Sequence, residues 1–487
     1  MVVNDRTVVS QESHGPGHDR GQTAFDLFRR AHPEYEATRS LDSLRAQEFS
    51  RLDQTGHVYL DYTGGGLYAD SQLDQHLELL KHGIFGNPHS NNPSSLAITR
   101  LDQRARENVL DFFKASPEEY VVIFAQNASG ALKLVGESYP FDSRSRYLLT
   151  FDNHNAVNGI REFARAKGAG ITYVPVDAPE LRLDGEELMR QLKKPEEGHN
   201  LFVFPAQSNF SGVQHSFEWI ERAQSSGWDV LVDAAAFVPT NRLDLSTWHP
   251  DFVPLSFYKM FGYPTGVGCL IAKKSALKKL HRPWFSGGTI KVVSVQGDSY
   301  YLADGATAFE DGTINYLNLP AVEIGLKFLS DAGIDRIHQR VVALTGWLLE
   351  SLSSLRHTSG TPVVEIYGPH DTTMRGGTIA MNFHDPSGKV FNFHDIEESA
   401  GRYNISLRTG CFCNPGAGEI AFGLTKSDMT DCFESEERAS FEQCILAAKG
   451  KTAGAVRVSL GIATNFSDVY RFLEYCQAFV DKTATPS

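Results

Sequence analysis

From Val58 onward the chain repeats one pattern that few folds accommodate: short apolar, β-branched runs alternate with amphipathic stretches of helical period. The runs are residues 121–124, 147–150, 171–174, 201–204, 230–232 and 267–272. Between them, residues 94–113, 155–167, 185–192 and 217–226 return an apolar side chain every three or four positions. Strands separated by a helix's length of chain can pair in parallel, and runs that are apolar on both faces must be covered on both. The predicted fold class is therefore α/β, a large, mainly parallel sheet domain followed by a smaller α+β C-terminal domain. Ligands of such sheets gather at the carboxyl ends of the strands.

The outer parts of the chain read differently. Residues 1–22 are polar and rich in Gly, Ser and His, which predicts a loose arm. Residues 25–49 have helical spacing interrupted at Pro33, and are grouped with the large domain, 23–325. A long helical stretch, 321–355, leads into the second domain, 326–487. There 363–367, 378–383 and 455–459 read as strands, and 392–403 and 466–480 as helices. The charged segment 425–451 is an insertion or a lid, and no internal repeat is visible.

Composition narrows the partners. A formal net charge of −13 argues against nucleic acid and anionic membranes, which need a basic face. Six cysteines in 487 residues are too few for a disulfide scaffold, and only Cys411 and Cys413 are close together, so free thiols and a reducing compartment are expected. The acidic residues among the first 22 exclude a secretory or transit pattern, and no apolar run is long enough to span a bilayer. Cytoplasm is the default location.

Chemistry-bearing residues fall at the strand ends. Lys259, in Ser256-Phe257-Tyr258-Lys259-Met260-Phe261-Gly262, follows the apolar run 252–257 and precedes Pro264, Gly266 and Gly268. A partly desolvated lysine near other cations loses its proton and becomes a nucleophile toward an aldehyde. Taken alone it reads more simply as a surface lysine beside a turn. What changes the balance is Asp233, delivered by Leu231-Val232-Asp233 and followed by Ala234, Ala235 and Ala236. Pyridoxal phosphate needs that pair, a carboxylate to keep its pyridine nitrogen protonated and a lysine for its aldehyde, with small residues beside the flat ring.

Other positions carry weaker signals. Gln126-Asn127-Ala128-Ser129-Gly130 follows a strand and opens a helix, an arrangement that suits an anion but is common. His154 sits just past the run 147–150, in a structural or a functional role. Arg457, inside the apolar run 455–459, requires a partner, either an internal carboxylate or a substrate carboxylate. In Arg408-Thr409-Gly410-Cys411-Phe412-Cys413, a glycine-bearing loop next to arginine suits an exposed, mobile, partly ionised thiol. A metal half-site is the poorer reading without a second cysteine pair, and a buried structural thiol suits Cys411 better than Cys413.

Taken together these residues resemble the class V aminotransferase-like pyridoxal phosphate enzymes, within them the cysteine desulfurases, and most closely the N-terminal desulfurase domain of molybdenum cofactor sulfurases. The likeness is carried by Val58-Tyr59-Leu60-Asp61, Asn87-Pro88-His89-Ser90, Ala206-Gln207-Ser208-Asn209-Phe210-Ser211-Gly212, the Lys259 segment, Arg282-Pro283-Trp284-Phe285, Phe309-Glu310-Asp311-Gly312-Thr313-Ile314-Asn315 and Arg408-Thr409-Gly410-Cys411-Phe412-Cys413-Asn414-Pro415-Gly416. It implies fold type I of the pyridoxal phosphate enzymes, with the cofactor on Lys259 and Asp233 at its ring nitrogen. By the same resemblance Asn127, Ala128 and Ser129 cradle the phosphate, Ser256 and Tyr258 add donors, and Thr313 reaches it from the other subunit of a homodimer. His154 stacks on the ring and shuttles protons, while Asn209 approaches the cofactor or the substrate carboxylate. Arg457 binds that carboxylate with Arg408 as a second contact, and Cys413 accepts sulfur. His89 belongs to a motif loop, which it caps or shapes while Asn87 and Ser90 supply turn bonds.

Three departures from the family pattern stand out. The family's glutamine three residues after the aspartate is Ala236 here, which passes its role to Gln207, with Ala235 beside the ring. Asp-His-Ala-Gly-Ala-Thr is replaced by Asp61-Tyr62-Thr63-Gly64-Gly65-Gly66, and a third nearby cysteine by Gly418. The chain is also expected to end before the further C-terminal domain of the full-length sulfurases. The expected activity is conversion of L-cysteine to L-alanine with a persulfide on Cys413, the sulfur passing to a protein or small-molecule acceptor. The alternatives are a carbon–sulfur lyase that acts on cysteine conjugates and releases pyruvate and ammonia, a non-catalytic scaffold and, less favoured because neither needs paired thiols, an aminotransferase or epimerase.

Overall fold

Seven strands, β1 (Tyr120–Ala125), β2 (Arg146–Thr150), β3 (Gly170–Val174), β4 (Leu201–Pro205), β5 (Asp229–Asp233), β6 (Phe252–Ser256) and β7 (Gly268–Lys273), form one sheet in the order β1-β7-β6-β5-β4-β2-β3. The computed structural model describes residues 16–88, 90–434, 444–445 and 452–484. Strands β4, β5 and β6 are buried at every position, which is why they read as unbroken apolar runs. Alternate side chains feed two cores, with Phe202 and Phe204 on one face of the sheet and Leu201 and Val203 on the other.

The pairs β2 with β3, β2 with β4, β4 with β5 and β5 with β6 are parallel, whereas β7 runs antiparallel to both β6 and β1. Only residues 257–267 separate β6 from β7, too few for the crossover that parallel pairing requires. The connection is therefore a tight reversal at the carboxyl end of β6, and it carries Lys259. Within it the helix Phe257–Phe261 stops at Gly262, whose φ of +79° suits glycine; a side chain there would also run into the backbone of Leu67 and Tyr68.

The second sheet is antiparallel, with β8 (Val364–Tyr367), β9 (Thr378–Phe383), β10 (Arg408–Gly410) and β11 (Ala455–Ser459) in the order β8-β9-β11-β10. The expected single helical stretch before it is two helices, Pro320–Ala332 and Ile334–Ser354, broken at Gly333, where φ is +84°.

The amino-terminal part differs from expectation in two ways. Helix Pro16–Ala31 starts inside the segment assigned to a loose arm, so residues 16–22 are helical, and residues 1–15 lie outside the described residues. The helical segment grouped with the large domain packs on carboxyl-terminal elements. Phe28 and Phe466 stack with ring centroids 4.8 Å apart, and buried Arg45 donates to Asp468 at 2.5 Å. Val58–Tyr59 then pairs in parallel with Ile405–Ser406, and Asp61 bridges to Ser459. This crossing matters for the site, because it carries Asp61 to the arginines of β10 and β11.

The expectation of free thiols fails at one pair: Cys432 and Cys444 form a disulfide. They lie twelve positions apart inside the charged segment, close enough in sequence for a short local loop to close, a constraint that a cysteine count does not reveal. Of that segment, helix Lys426–Glu434 is described, while residues 435–443 and 446–451 lie outside the described residues, so its role as insertion or lid lies largely there. Among the described residues no helix is long and apolar enough to cross a membrane.

Candidate active site

The carboxyl ends of β1, β2, β4, β5 and β6 meet around a cavity of about 120 Å³. Asn127, Ala128, Ser129, His154, Gln207, Asn209, Asp233, Ala235, Ser256, Tyr258 and Lys259 all line it, together with Leu132, Pro205 and Ala236. Eleven of the sequence-derived candidates thus converge from five separate segments, because in a parallel sheet every strand end opens on the same side.

Lys259 is pulled below the ordinary lysine range, first by burial and then by the charges of Arg457 and Arg408, with Asp233 opposing. An amine so placed is neutral, and nucleophilic, closer to physiological pH than a surface lysine. His154 is held below its usual value by burial, with Asp233 again opposing. Its Nδ1 accepts from the backbone N–H of Ala156 at 3.1 Å, which leaves Nε2 to carry the proton of the neutral ring. Asp233 is buried and accepts from the N–H of Ala235 at 3.1 Å.

At the opposite wall helix Ala128–Ser138 begins under two caps. Asn127 Oδ1 accepts from the N–H of Gly130 at 2.9 Å, and Ser256 Oγ from the N–H of Ala128 at 2.8 Å. The second bond ties the helix start to the strand end that precedes Lys259. Gly268 of β7 permits this, since a side chain there would lie 2.6 Å from Asn127 Cα. Gln207 donates to the carbonyl of Ala236 at 3.1 Å and accepts from Gln214 at 3.0 Å, so its amide is oriented beside the position where the family glutamine is missing. A buried amine, a carboxylate, an imidazole and a helix start around one cavity fit pyridoxal phosphate. Lys259 would hold its aldehyde, Asp233 its ring nitrogen, and residues 127–129 with Ser256 its phosphate.

The arginines are arranged differently from expectation. Arg457 is buried, its pKa lowered to about 10 by that burial against the pull of Asp61. Its Nη1 donates to the carbonyl of Asn209 at 2.9 Å, its Nη2 to Asp61 at 3.1 Å, and its face lies 4.7 Å from the ring of Phe412. Arg408, expected as a second substrate contact, does not line the cavity, and neither does Arg457. Arg408 is exposed and paired with Asp61, through Nη2 at 2.6 Å. The carboxylate that draws it away, Asp61, is the site residue that sequence reasoning missed. A polar residue ending the strand Val58–Tyr59, opposite an arginine-bearing strand, was the available signal.

The cysteine loop carries a second correction. Cys413 is exposed as expected, but so is Cys411, which was the better candidate for burial. Nor is the loop free: Phe412 O accepts from Asn209 Nδ2 at 2.7 Å, and Cys413 O from the N–H of Asn155 at 2.7 Å. Asn414, buried, donates to Asn209 Oδ1 at 2.9 Å and to Asp152 O at 2.7 Å. Asn209 therefore spends its amide on the loop rather than holding it out to a ligand. These bonds hold Phe412 and Cys413 at φ +55° and +56°, conformations that cost non-glycine residues on the order of 1–3 kcal/mol each. The result is an exposed thiol on a fixed backbone.

Thr313 does not reach this cavity in its own chain. It is exposed, accepts from Asn87 at 3.3 Å and lines a separate cavity of about 680 Å³ beside Gln126 and Gly130. His89 lies outside the described residues.

A parallel sheet with this lysine, carboxylate and helix start at its carboxyl edge defines a fold type I enzyme built around pyridoxal phosphate. The chain belongs to the aminotransferase class V family, which matches residues 58–472. It is 37% identical to a molybdenum cofactor sulfurase of Solanum lycopersicum over 90% of this chain and 57% of that protein. It is 36% identical to one of Homo sapiens over 90% of this chain and 51% of that protein. The chain thus spans between half and three-fifths of the length of these curated relatives. Among solved structures, a cysteine desulfurase from Thermococcus onnurineus NA1 shares the fold with a TM-score of 0.73, at 23% identity over 90% of this chain and 97% of that one.

Proposed function

We propose that the chain is a cysteine desulfurase that uses pyridoxal phosphate to take sulfur from L-cysteine onto Cys413. The observation that carries this reading is that Cys413, exposed on its clamped loop, is tied by its carbonyl to the N–H of Asn155, next to His154 in the cavity wall. An amine, a carboxylate seat and a thiol then share one substrate. When bound, the cofactor supplies an electron sink for the pair released at the substrate's Cα.

Everything else falls to the chain. Arg457 takes the substrate α-carboxylate and so fixes which bond at Cα faces Lys259. Lys259, which burial makes easier to deprotonate, takes the Cα proton at Nζ. Asp233 holds the proton at the pyridine nitrogen, and His154 stands beside it with Nε2 as donor. The Cys413 thiolate attacks the substrate sulfur: the new S–S bond forms as the Cβ–S bond breaks, the electron pair goes to Cβ, and a proton taken there, with the return of a proton from Lys259 Nζ to Cα, completes alanine. By likeness to the sulfurases, the persulfide sulfur passes to a second molecule, protein or small.

Incubation with L-cysteine tests the reading. Alanine and a persulfide on Cys413 are expected; pyruvate and ammonia in their place would show a carbon–sulfur lyase.

Two further outcomes are expected. Cofactor uptake by the apoprotein requires the neutral amine, so its rate should rise with pH through a midpoint below that of an ordinary lysine. Removing a cation favours the charged amine, so Arg457→Leu should raise that midpoint, and Asp233→Asn should lower it; a stopped-flow pH series with equal midpoints in all three proteins would contradict the assignment. Thr313 we read as completing the phosphate site of a second copy. Sedimentation should then give twice the chain mass, and an equimolar mixture of Thr313→Ala and Lys259→Ala proteins, refolded together, should recover activity that neither has alone.

A further inference from the structure

Asp61, Arg408 and Arg457 form a cluster with a definite charge. Asp61 accepts from Arg408 through Nε at 3.0 Å and Nη2 at 2.6 Å, and from Arg457 through Nη2 at 3.1 Å. Two guanidinium groups and one carboxylate leave a net charge of +1. Asp61 and Arg457 are 7% and 2% exposed, so that charge sits largely out of water, while the side chain of Arg408 is half-exposed at 51%.

One buried donor in the cluster has no acceptor among the described residues: the Nε of Arg457. The other contacts of that guanidinium are filled by Asn209, Asp61 and the ring of Phe412. An unfilled donor on a buried cation invites one more acceptor, and a single carboxylate would both fill it and bring the cluster to neutrality. Room for the pair is left by Gly64, where a side chain would begin 2.5 Å from Asp61 and 2.7 Å from Arg408.

We infer that Asp61 determines substrate specificity. By cancelling one of the two arginine charges, it sets the seat to accept an amino acid with one carboxylate and an uncharged side chain, and to reject one with a second anionic group. A second anion would turn the cluster negative in a poorly screened place. Asp61 keeps the bidentate partner Arg408 when the substrate carboxylate claims Arg457, so it is never left as an unpaired buried charge. The inference rests on the reading of Arg457 as the carboxylate seat.

The test compares L-alanine with L-aspartate as ligands of the holoenzyme, read as the change in cofactor absorbance on binding. Asp61→Asn raises the seat to +2 and should improve aspartate relative to alanine by about tenfold, the scale on which one charge acts in a partly screened site. Arg408→Gln lowers the seat to zero and should shift the ratio the opposite way. A purely structural role for the cluster predicts that both variants weaken both ligands together, and an unmoved ratio overturns the inference. If Asp61→Asn fails to fold, the exposed Arg408→Gln still decides. A wild-type protein that makes no alanine from L-cysteine would instead overturn the desulfurase reading, which the ratio does not test.

Discussion

Replacing Lys259 by alanine should reduce alanine formation from L-cysteine by about 10³-fold or more, since it removes both the attachment point of the cofactor and the base for the Cα proton. The variant should still take up the cofactor without a covalent link, because Asp233, the caps at Asn127 and Ser256 and the helix start are independent of this side chain. Borohydride reduction should therefore fix the cofactor to the wild-type chain and not to the variant, a readout that needs no turnover. Thermal stability should not fall, since burial already disfavours the charged amine that the mutation removes. Lys259→Arg should behave like the alanine variant, because a guanidinium keeps its proton and cannot form the link. Covalent capture of the cofactor by Lys259→Ala would place the attachment elsewhere and end the proposed mechanism.

Replacing Cys413 by alanine should abolish the protein persulfide and slow sulfur release by about 10²-fold or more, because the nucleophile and its proximity are lost together. Exchange of the substrate Cα proton with solvent should survive, since that step belongs to Lys259. Mass spectrometry after one turnover should find the added sulfur on Cys413 in the wild type and in Cys411→Ala. The neighbouring thiol is also exposed, so exposure alone does not choose between them. The choice lies in position: the carbonyl of Cys413 is bonded to the N–H of Asn155, next to His154 in the cavity wall. Added sulfur on Cys411 in the wild type, with full activity in Cys413→Ala, would reassign the acceptor.

The sheet and half of the site were legible in the sequence for the same reason. A strand buried on both faces must be apolar throughout, so a lysine or aspartate that closes such a run marks a strand end, and strand ends of a parallel sheet share one edge. Lys259 and Asp233 were visible in that way. Asn209 was visible as a motif residue but not in its role, because its amide is used by Phe412 and Asn414, more than 200 positions away. The amino-terminal helices looked like part of the large domain because they precede it; their partners, Asp468 and Phe466, lie at the far end of the chain.

The sequence by itself determined the α/β alternation, the amine and carboxylate at neighbouring strand ends, and the two thiols in a glycine-bearing loop, since side-chain period and residue chemistry are local properties. Only the tertiary structure decided that Asp61 joins Arg408 and Arg457, residues 347 and 396 positions away, and that the cysteine loop is clamped rather than free. Those contacts depend on which distant strand ends are brought side by side, and a buried charge takes whichever opposite charge the completed fold leaves beside it.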